Sequence, residues 1–374
     1  MFEENVLETI KKYNLIENRD KLVLGVSGGP DSIAMLNSLN NIKNNKIIDF
    51  NIVVCHINHG LRENAKIDEE FVLHFCEKHN IKCFTLKENI KEIAEREKKG
   101  LEETGRKVRY EFFNKILKET DSNKIAIAHN ANDNVETIIM NILRGSGING
   151  LRGIEPKNDI YIRPLIEIER EQIEQYCEDR ELNPRHDESN DDNTYTRNKI
   201  RNIAIPYIKK ELNPNIINAL TRLSLIAKDD LNYLDNVTQN AYNNMILEEI
   251  NINNLEENVY NFQNSAKIIL DLKKFNNENK AIQKRIILYS ITKLFGTAQG
   301  IERIHVEDMI KLCNNNIGNK YLTPNKNTKI VIKNKKIILE RLKWISVKNL
   351  KILMLQTYFF WKNLLKLIFC YAIF

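Results

Sequence analysis

Short apolar runs alternate with stripes of helical spacing through the first half of the chain. Leu22, Val23, Leu24 and Val26 form a run rich in β-branched residues, bounded by polar and glycine positions. Such a run suits a strand buried on both faces of a parallel sheet. Ile33, Ala34, Met35, Leu36 and Leu39 follow at a spacing that suits a helix packed back on that sheet. The alternation then repeats. Residues 50–56 (FNIVVCH) predict a second strand, and 65–80, with Ile67, Phe71, Val72 and Phe75 on one face, a helix. A third strand is expected at 81–86, a helix over 101–117 carrying Val108, Phe112, Phe113 and Ile116, and a fourth strand at 124–128. Val135, Ile138, Ile139, Ile142 and Leu143 mark one buried face of the next helix. Strand–helix alternation of this kind predicts an α/β fold with a doubly wound, mainly parallel sheet.

Beyond Asn213-Pro214 the pattern turns helical. Leu220, Leu223, Ala227, Leu231 and Leu234 make one stripe and Ile282, Ile286, Tyr289 and Leu294 another, before a strand pair at 329–332 and 336–339. The expected organisation is a catalytic domain over 1–213, a mostly helical domain over 214–344, and an atypical tail over 345–374. That tail has no Asp, Glu, Gly or Pro and is crowded with Ile, Leu, Phe, Lys and Tyr. Lys351, Lys362 and Lys366 interrupt it, so no apolar stretch reaches the ~18 residues of a membrane span. A frameshifted or truncated reading frame accounts for this composition; an amphipathic surface helix or a helix packed within the fold are the alternatives.

Composition narrows the classes. The 374 residues suffice for two or three domains. A net charge of +6 and a pI near 8.8 permit an RNA partner without demanding one. Cys55, Cys76, Cys83, Cys177, Cys313 and Cys370 form no Cys-x-x-Cys pair, which argues against a zinc knuckle or dithiol site and suits reduced cytosolic thiols. The start, MFEENVLETIKKYNLI, is not a charged-then-apolar signal segment, so a cytoplasmic location is expected. Monomer and homodimer are both left open.

Candidate chemistry concentrates in two places. Between the first strand and helix lies Ser27-Gly28-Gly29-Pro30-Asp31-Ser32. Its glycines let the backbone pass close to a bulky anion, and the amides of the helix start point at it. The lysine of the common triphosphate loop is missing; the aspartate in its place makes sense where a divalent metal bridges phosphates. A plain glycine turn is the competing interpretation. The second place is His129-Asn130-Ala131-Asn132-Asp133-Asn134-Val135-Glu136. Asp133 and Glu136 could form a capping box at a helix start or grip a cationic substrate at the ligand-binding edge of the sheet. His56 and His59 leave another such edge, with nucleotide contact or simple packing more natural than metal binding. Arg106 and Arg109 sit on the 101–117 helix, where pairing with Glu102 and Glu103 is the plain alternative.

The segment SGGPDS resembles the loop of the N-type ATP pyrophosphatases. Together with HINHGLR, EETGRKVRY, AHNANDNVETIIMNILRGSGINGLRGI and RPLIEIEREQIEQYCEDRELNPRHDESNDDNTYTRNKIRNIAIP, in this order over roughly the first 210 residues, it resembles the tRNA(Ile)-lysidine synthetase family. The resemblance implies a ligase that forms a C–N bond: ATP adenylates the wobble cytidine of the CAU-anticodon isoleucine tRNA, and free L-lysine displaces AMP. It implies that Ser27, Gly28, Gly29, Pro30, Asp31 and Ser32 hold the pyrophosphate and Mg2+, and that His56, Ile57 and Asn58 lie at the adenosine. It places Asp133 and Glu136 at the lysine and Arg106 at the charge of the adenylation step. Arg197 and Arg201 become tRNA phosphate contacts, with pairing to Glu188, Asp191 and Asp192 as the alternative. A frequent family form of the second motif is His-His-x-Asp-Asp-Gln; here Asn130, Asn132 and Asn134 depart from it, and Asn132 carries no charge for a metal. The competing functions are a tRNA thiolase or small-molecule synthetase of the same fold, and a non-catalytic RNA-binding remnant. Thiolases usually show paired cysteines near the site, and no such pair is seen.

Overall fold

The chain is described from a computed structural model, which places residues 1–58, 60, 65–185, 193–250, 267–298, 300–315, 321–325 and 328–341. His59, Leu61, Arg62, Glu188, Asp191, Asp192 and the 345–374 tail lie outside the described residues. These residues divide into two compact units, Met1–Leu231 and the part from Asn232 onward.

In the first unit the elements run α1 (Phe2–Lys12), β1 (Asp20–Gly25), α2 (Pro30–Asn44), β2 (Phe50–Asn58), α3 (Ala65–Lys78), β3 (Lys82–Lys87), α4 (Ile90–Glu97), α5 (Leu101–Glu119) and β4 (Lys124–Ala126). There follow α6 (Ala131–Leu143), β5 (Lys157–Asn158), β6 (Tyr161–Ile162), α7 (Arg170–Asp179), α8 (Thr196–Lys199), a π-helical turn over Ile200–Ala204, α9 (Ile205–Glu211) and the start of α10 (Ile216–Met245). The sheet order is β3-β2-β1-β4-β6-β5, parallel throughout except for the β5–β6 hairpin. Successive strands move one way from β1 and then resume on its other side at β4. The order therefore reverses between β1 and β4, and at such a switch point the loops leaving the two carboxyl ends diverge and leave a crevice.

β1 alternates as the buried run requires. Leu22 and Leu24 join Val6, Ile33, Leu36 and Ile173 in one core, while Val23 joins Phe112, Phe113, Ile116 and Ile125 in another. Two cores on opposite faces of one sheet make this the doubly wound architecture expected. β4 ends at Ala126 rather than Ala128, because the chain turns there, with the His129 N–H donating to the Ile127 carbonyl. At the amino edge of the sheet Lys124 donates to Asp20 at 2.7 Å, both side chains nearly buried. Asp20 also accepts from Asn123 and from the Glu17 amide. Burial pushes the Asp20 pKa up, and these donors, led by Lys124, outweigh it and hold it below the usual value.

The units separate inside α10, not at Asn213-Pro214 where the pattern changes. The first half of α10 belongs with the sheet: Ile217 packs with Ala131 and Val135, Ser224 donates to the Arg152 carbonyl and Lys228 to that of Ile154. Leu223, expected in the buried stripe, is 40% exposed.

The second unit is more β-rich than its pattern suggests. The expected pair appears as β10 (Thr328–Lys333) and β11 (Lys336–Arg341), joined by β7 (Ile246–Ile250), β8 (Lys267–Asp271) and β9 (Tyr321–Asn325) in an antiparallel sheet of order β7-β8-β11-β10-β9. Ile282, Ile286 and Leu294 of α12 (Lys280–Phe295) pack over it with α11 (Leu272–Asn277) and α13 (Arg303–Asn314). No described helix is long and apolar enough to cross a membrane.

Candidate active site at the switch point

The loop after β1 is built around Ser32. Its Oγ accepts from the amides of Ser27 and Gly28, both at 3.2 Å, and donates to the Gly29 carbonyl at 3.0 Å. One hydroxyl thus ties the turn to the first turn of α2. Gly28 has φ +96, where a side chain is strained, although a Cβ there would meet Val72 only at an ordinary contact distance. Gly29 is the N-cap and Pro30 the first helical residue, where its missing N–H costs nothing. Asp31 stands in that first turn with the amides of α2 beneath it. Burial, then the nearby Asp133 carboxylate, raise its pKa to about 6, partly offset by Arg170, Asn130 and Arg201.

Asn130 faces Asp31 from the far side of the crevice. Its Nδ2 donates to Asp31 Oδ1 at 2.8 Å, while its Oδ1 accepts the Asp133 amide at 2.9 Å. Asp133 Oδ2 accepts the Asn130 amide in return, which completes a capping box. The box is therefore Asn130–Asp133, one turn earlier than the Asp133–Glu136 pairing that the sequence suggests. The other two asparagines are also engaged. Asn132 Oδ1 accepts the Arg170 amide, and Asn134 Oδ1 accepts the Ile154 amide at 2.7 Å. Gly153, with φ +62, lies so close to Asn134 that a Cβ would fall 2.0 Å from Oδ1.

Capping leaves Asp133 Oδ1 to face the crevice with both oxygens of Glu136. Arg201 donates to Glu136 Oε1 at 2.6 Å and Oε2 at 3.0 Å, and to Asp133 Oδ1 at 2.8 Å. Arg197 reaches Glu136 Oε2 at 2.8 Å and Asp133 Oδ1 at 3.1 Å. Arg170 stands further off, 3.7 Å from Glu136 and 4.0 Å from Asp133. Burial pushes the Asp133 pKa up, but the charge of Arg197, with Arg201 and the Asn130 amide, holds it below the usual carboxylate value. In this structure Arg197 and Arg201 point into the crevice and pair with acids, rather than presenting bare charges to a phosphate. Sequence reasoning misses this, because the partners lie on elements far apart in the chain. It misses Arg170 altogether, since nothing in that residue's local pattern separates it from a surface arginine.

A third group lies beyond β4. Arg163 Nε donates to His129 Nδ1 at 3.1 Å and its Nη1 to the Glu155 carbonyl at 2.6 Å. Burial, then the charges of Arg163, Arg197 and Arg106, push the His129 pKa down to about 4 against the pull of Asp133. The ring is neutral, and since Nδ1 accepts, its proton sits on Nε2. Arg106 lies over the Tyr110 ring at 5.1 Å and donates to its hydroxyl at 3.3 Å. Its hydrogen-bonding partner is thus a tyrosine one turn along the helix, where Glu102 and Glu103 were the plain expectation.

His56 is buried in β2, where Nδ1 donates to the Val26 carbonyl at 2.9 Å. Asn58 donates to Glu69 and accepts from the Gly60 amide. The two side chains thus tie the end of β2, either side of Ile57, to the β1 exit and to α3. Among the described residues no group of three or more His, Cys, Asp or Glu forms a metal cage. Cys177, whose Sγ donates to the Pro30 carbonyl at 3.7 Å, is held as a thiol, its pKa pushed up to about 12 by burial.

A crevice at the switch point, between a glycine-containing loop and the acids opposite, is the candidate site of this α/β unit. The sequence model of the PP-loop domain matches residues 1–208. Two relatives called tRNA(Ile)-lysidine synthase, from Clostridium tetani and Clostridioides difficile, are 41% and 38% identical over 85% and 91% of this chain. A third of that name, from Caldanaerobacter subterraneus, is 41% identical over 83%. The chain belongs to the PP-loop family and, within it, to the tRNA(Ile)-lysidine synthases. It spans 64%, 63% and 70% of the C. tetani, C. subterraneus and C. difficile relatives' own lengths.

Proposed function

We propose that the chain joins L-lysine to C2 of the wobble cytidine in the isoleucine tRNA with a CAU anticodon, consuming ATP and releasing pyrophosphate and AMP in the cytoplasm. The observation that carries this reading is the Asn130 side chain. It joins a loop shaped for phosphate anions to a buried carboxylate pair shaped for a cation, within one crevice. A reaction that brings a polyphosphate and an amine to one carbon needs both.

In the first step the cytidine O2 attacks the α-phosphorus and pyrophosphate leaves into the Ser27–Ser32 loop. The amides of the α2 start stabilise the charge there, and Arg106 adds its guanidinium. His56, Ile57 and Asn58 flank the adenosine through the backbone they brace. Asp31 suits Mg2+ as a single carboxylate: Asn130 takes one oxygen and leaves the other, and magnesium is commonly held by one or two carboxylates with phosphates and water. Bound there, the ion neutralises phosphate charge.

In the second step the lysine side-chain ammonium enters beside Asp133 and Glu136 and gives a proton to solvent water. The amine attacks C2, and AMP leaves with the former carbonyl oxygen. The inert Cys177 favours this ligation over sulfur transfer. The test is AMP release from purified protein with ATP, Mg2+ and an isoleucine tRNA transcript. Release should require both lysine and cytidine at the wobble position; equal release without either refutes the assignment.

A further inference from the structure

Two carboxylates in the crevice face three guanidinium groups. Asp133 and Glu136 supply two negative charges, and Arg170, Arg197 and Arg201 supply three positive ones. Glu136 Oε1, Glu136 Oε2 and Asp133 Oδ1 all accept from Arg197 or Arg201, so an ammonium can join this pair only if a cation already there withdraws. From the geometry we infer that Arg197 is that cation: its guanidinium stands in for the incoming ammonium and sets the apparent affinity for the amine. This inference rests on the lysine-ligating reading above.

Three observations separate Arg197 from Arg201. Arg201 grips both oxygens of Glu136 as well as Asp133 and is 18% exposed, whereas Arg197 makes one contact to each acid and is 32% exposed. Their anchoring also differs. Arg201 follows Ile200, which is buried with Ala131, Val135, Ile205 and Ile217, so its turn is fixed by an apolar core. Arg197 lies on α8, a four-residue helix with no buried residue and no side-chain cap. Withdrawing Arg197 breaks two hydrogen bonds on a segment with no buried residue; withdrawing Arg201 breaks three, beside a residue held in that core. Arg170, at 3.7 Å and beyond, is too distant to be the group whose place the ammonium takes. The displaced Arg197 side chain then swings toward solvent, where a tRNA phosphate can receive it, which reconciles its crevice position with the phosphate role its sequence context suggests.

A ligand that must first displace an internal competitor binds more weakly by the fraction of time its site stands open. Removing the competitor removes that penalty. The experiment follows steady-state AMP release by the full chain at saturating ATP and tRNA, with lysine varied, for the unaltered protein, R197Q and R197K. The apparent KM for lysine is expected to fall about fivefold in R197Q, the worth of a partly exposed pair. In R197K it should fall less, about twofold, because an ammonium still competes but cannot span both acids. A KM that R197Q leaves unchanged or raises overturns the inference while the function stands. A raised KM in R197K does the same, and decides the matter if R197Q does not fold. If the unaltered protein shows no lysine-dependent release, the functional reading fails and this inference falls with it.

Discussion

The first sheet carries a buried carboxylate–cation cluster at each edge, and the two are built differently. At the amino edge Asp20 meets Lys124, with Asn123 and the Glu17 amide filling the remaining oxygen sites. One acid is matched to one base, and every partner lies on the strands or the turns beside them. At the carboxyl edge two acids on one helix meet three arginines from two later segments. Matched charge is what a fold needs to keep an ion pair out of water. Arginines shared between several acids make each contact less exclusive, and on the inference drawn above one of them gives way to an incoming cation.

The sharpest way to break this comparison is to remove an acid from each edge. Asp31→Ala, on the carboxyl side, is expected to lower tRNA-dependent AMP formation by about a thousandfold, the weight of losing a metal-holding carboxylate, with little change in melting temperature. Rapid-quench assays and thermal melts read the two effects separately. Asp20→Ala should do the reverse. It strands Lys124 in a nearly buried place and should cost about 3 kcal/mol in denaturant unfolding of the first unit. A stable Asp20→Ala protein would mean the amino-edge pair is no more structural than the crevice.

Asn130→Ala sharpens the contrast at smaller scale. It removes the N-cap of α6, worth about 1 kcal/mol, and releases Asp31. Stability should fall slightly and the apparent Mg2+ requirement for AMP formation should rise, measured by magnesium titration. An unchanged magnesium requirement would mean that Asp31 is held without the amide.

The smallest effect is the pH response of the amino edge. The folded pKa of Asp20 lies below its ordinary 3.8. Its contribution is therefore complete above the unfolded value and is lost as pH falls through the folded one. Unfolding free energy should lose the Asp20 increment only below about pH 4, and Asp20→Asn should flatten that limb of the curve.

Much of this architecture is legible in the sequence. The β1 run, the SGGPDS turn and the stripes of α2 and α5 are local patterns, and a local pattern needs no distant partner to be seen; the expected α6 stripe is buried at Val135 and Ile138 only, its last members Ile142 and Leu143 being 52% and 69% exposed. Register at the start of α6 is less legible: Asp133 looks like a cap because an acid stands three residues on, whereas Asn130 holds that place. The Arg197 and Arg201 pairings depend on a chain that travels out past β6 and α7 and returns, which no window of sequence contains. In the second unit β7 reads ILEEI, without strict alternation, directly after a long helix, and β9 carries Pro324 and sits on the sheet edge. Both are poor strands by composition, and pairing with neighbours is what makes them strands.

Asn130 occupies a place where the family often has an imidazole, and its amide neither gains nor loses a proton across the physiological range. Acidity therefore reaches the link from loop to helix only through Asp31, whose pKa lies at about 6. On the reading proposed above, a fall in pH toward 6 protonates Asp31 and weakens its hold on Asn130, while the Asn130–Asp133 cap, which takes its hydrogen bonds from backbone amides, is kept. A histidine at that point would let a drop in pH lengthen or reverse the contact. In this chain the acid-sensitive end of that link is the loop aspartate and not the helix cap.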